Sequence, residues 1–305
     1  MTGFLRTRFL ALFAACAGLS LAACSQLTVK LPAIADSDQY RPGQVIWRDL
    51  LTRDMAGIKH FYGELFGWQF TPVAGALGDA DYQLIEYQGQ WIGGVVDTRG
   101  FKARDNLSQW INVFSTRDMA DSVARVKAAG GTLVGGPRQV GERGELALVQ
   151  DPQGAHFALL QTRQGDTVAR PHQPGYFLWQ ELWNQDGNGD FYQTLFGATK
   201  QQATLNGGSF DYFAVDDKPA FAVLSSPLEG LPSTWVSYLQ VEDVGATLAR
   251  VESLGGRILV PAQNNPAGGQ LAVILDPSGA GLVIQTWAHT TADATHTLNA
   301  SGVTP

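Results

Sequence analysis

Trp110 … Asp118 … Arg125 … Gly130-Gly131 … Asp151-Pro152-Gln153-Gly154 returns as Trp235 … Asp243 … Arg250 … Gly255-Gly256 … Asp276-Pro277-Ser278-Gly279, every pair 125 residues apart. A constant offset held through a strand, a helix and a turn marks an internal duplication, so the fold question concerns half a chain. In the first copy, 110–116 reads as a strand, Asp118 caps a helix carrying Val123 and Val126, and Gly130-Gly131 closes it. Residues 146–150 and 155–161 read as strands. They are joined by Asp151-Pro152-Gln153-Gly154, whose Pro and Gly suit the second and fourth positions of a type I turn.

Upstream lies a stronger version of the same unit. Residues 45–52 read as a strand, and Asp54 is placed to cap the helix that follows. Ile58, Phe61, Tyr62, Leu65 and Phe66 then form one apolar helix face, and Gly67 ends it. Strands are expected at 69–73, 82–87 and 91–96. The second half keeps the plan with wear: Trp179-Gln180-Glu181-Leu182 answers Trp47-Arg48-Asp49-Leu50, and the Phe-Tyr-x-x-Leu-Phe-Gly ending at Gly67 recurs ending at Gly197. The interval between those two motifs is two residues shorter in the second half. With Gly187 and Gly189 at the helix start, that deletion predicts a truncated first helix there.

The helix ends, the Gly-Gly pairs and the Asp-Pro-x-Gly-Ala turns, in this order and in two copies, resemble the vicinal oxygen chelate superfamily. That group includes glyoxalase I, extradiol dioxygenases and bleomycin-resistance proteins. The resemblance covers about 44–287 and implies an α+β protein of two tandem domains. Each would hold two βαβββ modules, curled into a half-open mixed-sheet cup with flanking helices. The expected domains are 44–164 and 176–288, with a linker at 165–175 containing Pro171 and Pro174. The resemblance also predicts where a metal would be held. Its first-strand His or Gln position is Trp47 here, its last-strand Glu falls at Ala158 and Val283, and its third ligand falls near Ile111 or Asn112 and Val236 or Ser237. Apolar groups cannot coordinate a divalent ion, so the usual metal site is expected to be missing from both domains, with no cofactor unless a nonstandard site holds a metal.

The N-terminus reads as an export signal at 1–23. Arg6 and Arg8 precede an apolar run at 9–23, too short for a comfortable membrane span. Leu21-Ala22-Ala23-Cys24 resembles a bacterial lipobox, which would make Cys24 a lipidated first residue; Cys16 is the weaker competitor. An uncleaved anchor and secretion without lipid are the alternatives. A tether at 24–43 and a disordered tail at 289–305 complete the expected layout. The expected partners are therefore a membrane, through Cys24, and a small organic molecule. Ser25 favours the periplasmic face of an outer membrane. The net charge of −7 and the lack of a basic stripe argue against nucleic acid.

Polar groups remain in the cups. Residues two apart on a strand share a face, so Asp49 should join Trp47 and His156 should join Ala158. Asp49 and His156 are thus candidates for a general acid/base pair or a displaced metal site, or for ordinary structural hydrogen bonding. Glu181 answers Asp49, whereas Gly281 stands where His156 would recur, which makes the first domain the better equipped. Trp47, Tyr82, Trp91 and Trp179 are candidates to line a ligand cavity or simply to fill the core. Three functions follow: an envelope-anchored binder of a small organic ligand, a metal-dependent lyase or dioxygenase, or a scaffold with filled cups. Glyoxalase I chemistry is disfavoured, because its thiol cofactor is mainly cytosolic.

Overall fold

The computed structural model describes residues 30–75, 81–100, 108–170, 172–205 and 208–287. The export signal, Cys24 and the C-terminal tail from 289 lie outside the described residues. In the first half, β1 (Val45–Thr52) leads through α1 (Met55–Phe66) to β2 (Gln69–Pro72), β3 (Tyr82–Tyr87) and β4 (Gln90–Asp97). Then follow β5 (Gln109–Ser115), α2 (Met119–Ala128), β6 (Thr132–Gln139), β7 (Gly144–Gln150) and β8 (His156–Thr162). The second half repeats the order with β9 (Phe177–Asn184), α3 (Asp190–Phe196), β10 (Thr199–Leu205), β11 (Gly208–Val215) and β12 (Lys218–Ser225). It closes with β13 (Thr234–Gln240), α4 (Val244–Val251), β14 (Arg257–Asn264), β15 (Gln270–Leu275) and β16 (Gly281–Gln285).

Each half is one eight-stranded mixed sheet, ordered β2-β3-β4-β1-β5-β8-β7-β6 and β10-β11-β12-β9-β13-β16-β15-β14. The outer strands of each unit are antiparallel, β1 runs parallel to β4 and β5 parallel to β8, and the two units meet along antiparallel β1 and β5. Four βαβββ units therefore make two sheets, as the duplication implies.

The caps act as their residues predict. The Asp54 carboxylate accepts from Gly57 N, Asp118 from Asp121 N and Asp243 from Ala246 N, each at 2.9 Å. Gly67 takes φ +74°, a left-handed conformation costly for any residue with a Cβ, and donates its N–H to Gly63. The deletion in the second half shortens α3 to 7 residues against 12 in α1. Sequence reading missed β6 and its counterpart β14. Both alternate between half-buried and exposed positions and slip register against their neighbours, so neither shows a clean apolar period.

The helices lie between the two sheets. The α1 face of Ile58, Phe61 and Tyr62 shares a core with Val244, Val251, Ile274 and Ile284 of the second half, while Val123 and Val126 of α2 pack with Tyr192, Leu195 and Phe221. Both apolar cores are thus built from both halves.

Polar residues of the repeat lock the halves together. Trp110 Nε1 donates to the Tyr62 hydroxyl (3.1 Å), which donates to Asp276 of the other half (3.1 Å). Trp235 Nε1 donates likewise to Tyr192 (3.0 Å), which donates to Asp151 (2.9 Å). The other oxygen of each aspartate accepts two backbone N–H groups of its own turn. The Gly-Gly pairs serve the same interface. A Cβ on Gly131 would come within 2.8 Å of the Phe191 ring, and one on Gly256 within 2.5 Å of the Phe61 ring.

Two segments read as tether and linker pack closely instead. Leu31 and Ile34 are buried on the concave face of the first sheet, among Trp47, Tyr82, Val113 and Leu160. Asp166 of the linker is fully buried and accepts from Arg41 N (2.6 Å) and Thr162 Oγ1 (2.7 Å). Buried apolar side chains and a satisfied carboxylate hold these described parts against the body despite their Pro and polar residues. Among the described residues no helix is long and apolar enough to cross a membrane.

Candidate functional site

The two cups differ at a strand position beside their matching carboxylates. Asp49 pairs in register with Gly94, and Glu181 with Ala222. In the first cup the Tyr82 ring folds over Gly94, where a Cβ would lie 1.9 Å from the tyrosine hydroxyl. Tyr82 thereby donates to Asp49 (2.7 Å), which also accepts from Trp47 Nε1 (3.0 Å). The second cup has a Cβ at Ala222. A cavity of about 1120 Å³ opens over it instead, large enough to take a small organic ligand.

Alternation along β9 places Trp179 and Glu181 on the concave side, where both line this cavity with Tyr238 and Tyr212. Glu181 accepts from Trp183 Nε1 (2.9 Å) and from the Tyr238 hydroxyl. Burial raises the Glu181 pKa, against the lowering effect of those two hydrogen bonds, and burial together with the facing carboxylate pushes Tyr238 well above 10. The pair can hold or release a proton facing the cavity. Tyr212 donates to Gln201 (2.8 Å) on the neighbouring strand β10. At the rim, Trp91, Val168 and Leu224 are 39%, 53% and 39% exposed and all line the cavity, an apolar mouth left uncovered by the fold.

Of the cations that line the cavity, Arg41, Arg48, Arg170 and Lys200, the second is held between the two halves. Arg48 donates from Nη2 to Gln180 (2.6 Å) and from Nε to Ser237 (3.2 Å), and its guanidinium lies 4.4 Å from the Phe177 ring centre. No ion pair to it forms among the described residues. Burial lowers its pKa to about 9, which leaves it charged at neutral pH. Sequence reading missed Arg48, although its mismatch with Gln180 in otherwise matching motifs was a usable signal.

The residues at the family's metal positions do not fit a metal. Trp47, Ile111, Ala158, Val236 and Val283 are buried apolar groups, and Ser237 spends its hydroxyl on Asn112 (3.0 Å) across the domain interface. Asp49 and His156 both sit on the first sheet, but β5 lies between their strands, which separates their backbones by about 9.6 Å. His156 is half-buried, and burial lowers its pKa against the raising effect of Asp151. Among the described residues no group of three His, Cys, Asp or Glu side chains is arranged to hold a metal. Open space lies over the second cup, whereas Asp49 and His156 belong to the first.

Residues 46–160 match the model of a glyoxalase-like domain, and 184–284 match that of the glyoxalase/bleomycin resistance protein/dioxygenase superfamily. An anthracycline biosynthesis protein of Streptomyces peucetius, DnrV, is 30% identical over 264 residues, covering 81% of this chain and 94% of the relative. A Mycobacterium tuberculosis protein named provisionally as a glyoxylase, CFP32, is 27% identical over 247 residues, covering 79% and 94%. Among solved structures, a Mn(II)-bound glyoxalase of Novosphingobium aromaticivorans superposes with a TM-score of 0.53 at 14% identity, covering 82% of this chain and 84% of the other. A 2,2',3-trihydroxybiphenyl 1,2-dioxygenase of Sphingomonas wittichii gives 0.55 at 13%, covering 83% and 93%. At such identities these two share the fold.

Proposed function

The chain belongs to the glyoxalase/bleomycin resistance protein/dioxygenase superfamily, the vicinal oxygen chelate group, and on that premise we propose that it captures a small, planar, largely apolar organic molecule in its second cup, at the cell envelope. The observation that carries this reading is the 1120 Å³ cavity with an aromatic wall at Trp179 and Tyr212 and an apolar mouth at Trp91, Val168 and Leu224. Stacking on an indole favours flat ligands, and Glu181 with Tyr238 offers a hydrogen-bonding pair that fixes orientation. Capture requires no metal at the family's usual positions.

The relative named for anthracycline biosynthesis makes anthracyclines the first compounds to test. A true ligand at a hundred times its dissociation constant should stabilise the folded protein by about 2.7 kcal/mol in a thermal-shift assay. Trp179→Ala should weaken that ligand at least tenfold, about 1.4 kcal/mol. Undiminished binding in Trp179→Ala and in Glu181→Gln would place the ligand elsewhere and end this reading.

Envelope placement rests on Leu21-Ala22-Ala23-Cys24 and supports access to molecules crossing the periplasm. Cys24→Ala should stop incorporation of labelled fatty acid and move the protein from the membrane to the soluble fraction. Labelling that persists in this variant contradicts lipidation at Cys24.

A second, enzymatic reading is favoured by the raised carboxyl of Glu181 against the Tyr238 hydroxyl. Such a pair can transfer a proton to or from a bound ligand without a metal. Turnover abolished in Glu181→Gln with ligand binding retained would identify catalysis over capture.

A further inference from the structure

We propose that the first cup is a second, latent binding site for a small organic anion with an apolar body, held shut by the chain's own residues 30–34. Leu31 and Ile34 occupy the concave face there, 4% and 7% exposed, against Trp47, Tyr82 and Leu160. The second cup, built by the same repeat, keeps that space open.

The strap touches the cup as a ligand would. Its apolar side chains fill the bowl, and two of its carbonyl oxygens accept hydrogen bonds, Leu31 from Glu142 N (3.0 Å) and Pro32 from Arg143 Nε (3.3 Å). Those are the only hydrogen bonds from residues 30–36 to the body among the described residues. The close fit depends on Gly141, where a Cβ would meet the Leu31 backbone at 2.7 Å. Further along, the strap is fastened firmly, by Ser37 N to Gln164 (3.1 Å) and Arg41 N to Asp166 (2.6 Å). Residues 30–34 can therefore lift about Ala35 and Asp36 while the remainder stays docked.

Arg143 defines what would take their place. It is 1% exposed and lies 4.9 Å from the Trp47 ring centre and 5.2 Å from that of Tyr82. Its Nη1 donates to the Tyr82 hydroxyl (2.9 Å), its Nη2 is buried with no acceptor, and no ion pair to it forms among the described residues. The Asp49 carboxylate reaches the guanidinium only through the Tyr82 hydroxyl, so a carboxylate or similar oxyanion in the bowl would supply the acceptor that Nη2 lacks. Its planar, two-pronged recognition matches a carboxylate, and the flanking rings suit an aromatic or aliphatic body.

This inference is independent of ligand capture in the second cup, and Trp179→Ala is used as the background to weaken that site. The probe is 2-naphthoate, titrated calorimetrically into the full chain. Leu31→Ala with Ile34→Ala should bind it at least tenfold tighter than the background, because a larger fraction of molecules is open. Adding Arg143→Gln should return affinity to the background level. Equal affinity with and without the strap substitutions, or tighter binding that survives Arg143→Gln, overturns the proposal. Should these variants fail to fold, hydrogen exchange in the unsubstituted chain decides. Saturating 2-naphthoate should speed exchange of the Glu142 amide, which the strap protects, and unchanged protection overturns the proposal equally.

Discussion

The Asp276 carboxyl accepts two N–H groups of its own turn with one oxygen and the Tyr62 hydroxyl with the other, and burial raises its pKa from 3.8 to about 6. The folded state therefore holds the proton more tightly than the unfolded chain does. The stability this group contributes is fully present below pH about 4 and is lost as pH rises through about 6. A shift of about two units corresponds to about 3 kcal/mol. Asp276→Asn keeps the turn acceptor and removes the titration, so between pH 4 and 7.5 the natural chain should lose about 3 kcal/mol relative to the variant in urea denaturation. Parallel profiles would show that Asp276 does not titrate in this range. At this scale the sequence was half legible. Asp151 and Asp276 were readable as turn residues because a turn is local, but the Tyr62 partner lies 214 residues away and leaves no spacing to find. Glu181 was legible as a cavity residue by its match to Asp49. Arg143 was not, since it sits in a short Gly-flanked turn with no period.

At the level of elements, the loop after α4 depends on close approach. A Cβ on Gly256 would sit 2.5 Å from the Phe61 ring and 2.8 Å from the Leu275 carbonyl oxygen, whereas one on Gly131 would meet side chains alone. Gly256→Ala should cost about 1–3 kcal/mol in denaturant unfolding, more than Gly131→Ala, because a strand carbonyl cannot swing aside as a ring can. A smaller loss in Gly256→Ala than in Gly131→Ala would contradict the interface geometry. Strands with sharp apolar runs, such as β1 and β3, were legible to the residue, and the short α3 followed from a two-residue deletion. The edge strands β6 and β14 were not, because irregular pairing and exposure on both faces erase the period on which such reading relies.

For the whole molecule, both apolar cores combine helices and strands of the two halves, so neither half can lose its structure without exposing the other's core. The full chain should unfold in one urea transition, with far-ultraviolet circular dichroism and tryptophan fluorescence coincident. Two separated transitions would mean that the halves stand alone. The duplication was legible because a constant offset survives in a linear text. Which cup stays open was not, for it turns on Leu31 and Ile34, in a stretch whose composition suggests a tether, and on Tyr82 over Gly94.

The two polar locks are one lock drawn twice. Trp110 and Tyr62 reach Asp276, Trp235 and Tyr192 reach Asp151, and under the repeat each of these residues is the counterpart of the other. One half facing an identical twin across a two-fold axis would form both without a single substitution. The fused chain thus carries the handshake of a symmetric pair of separate molecules. The halves match at that clasp although one bowl is closed and its sibling open.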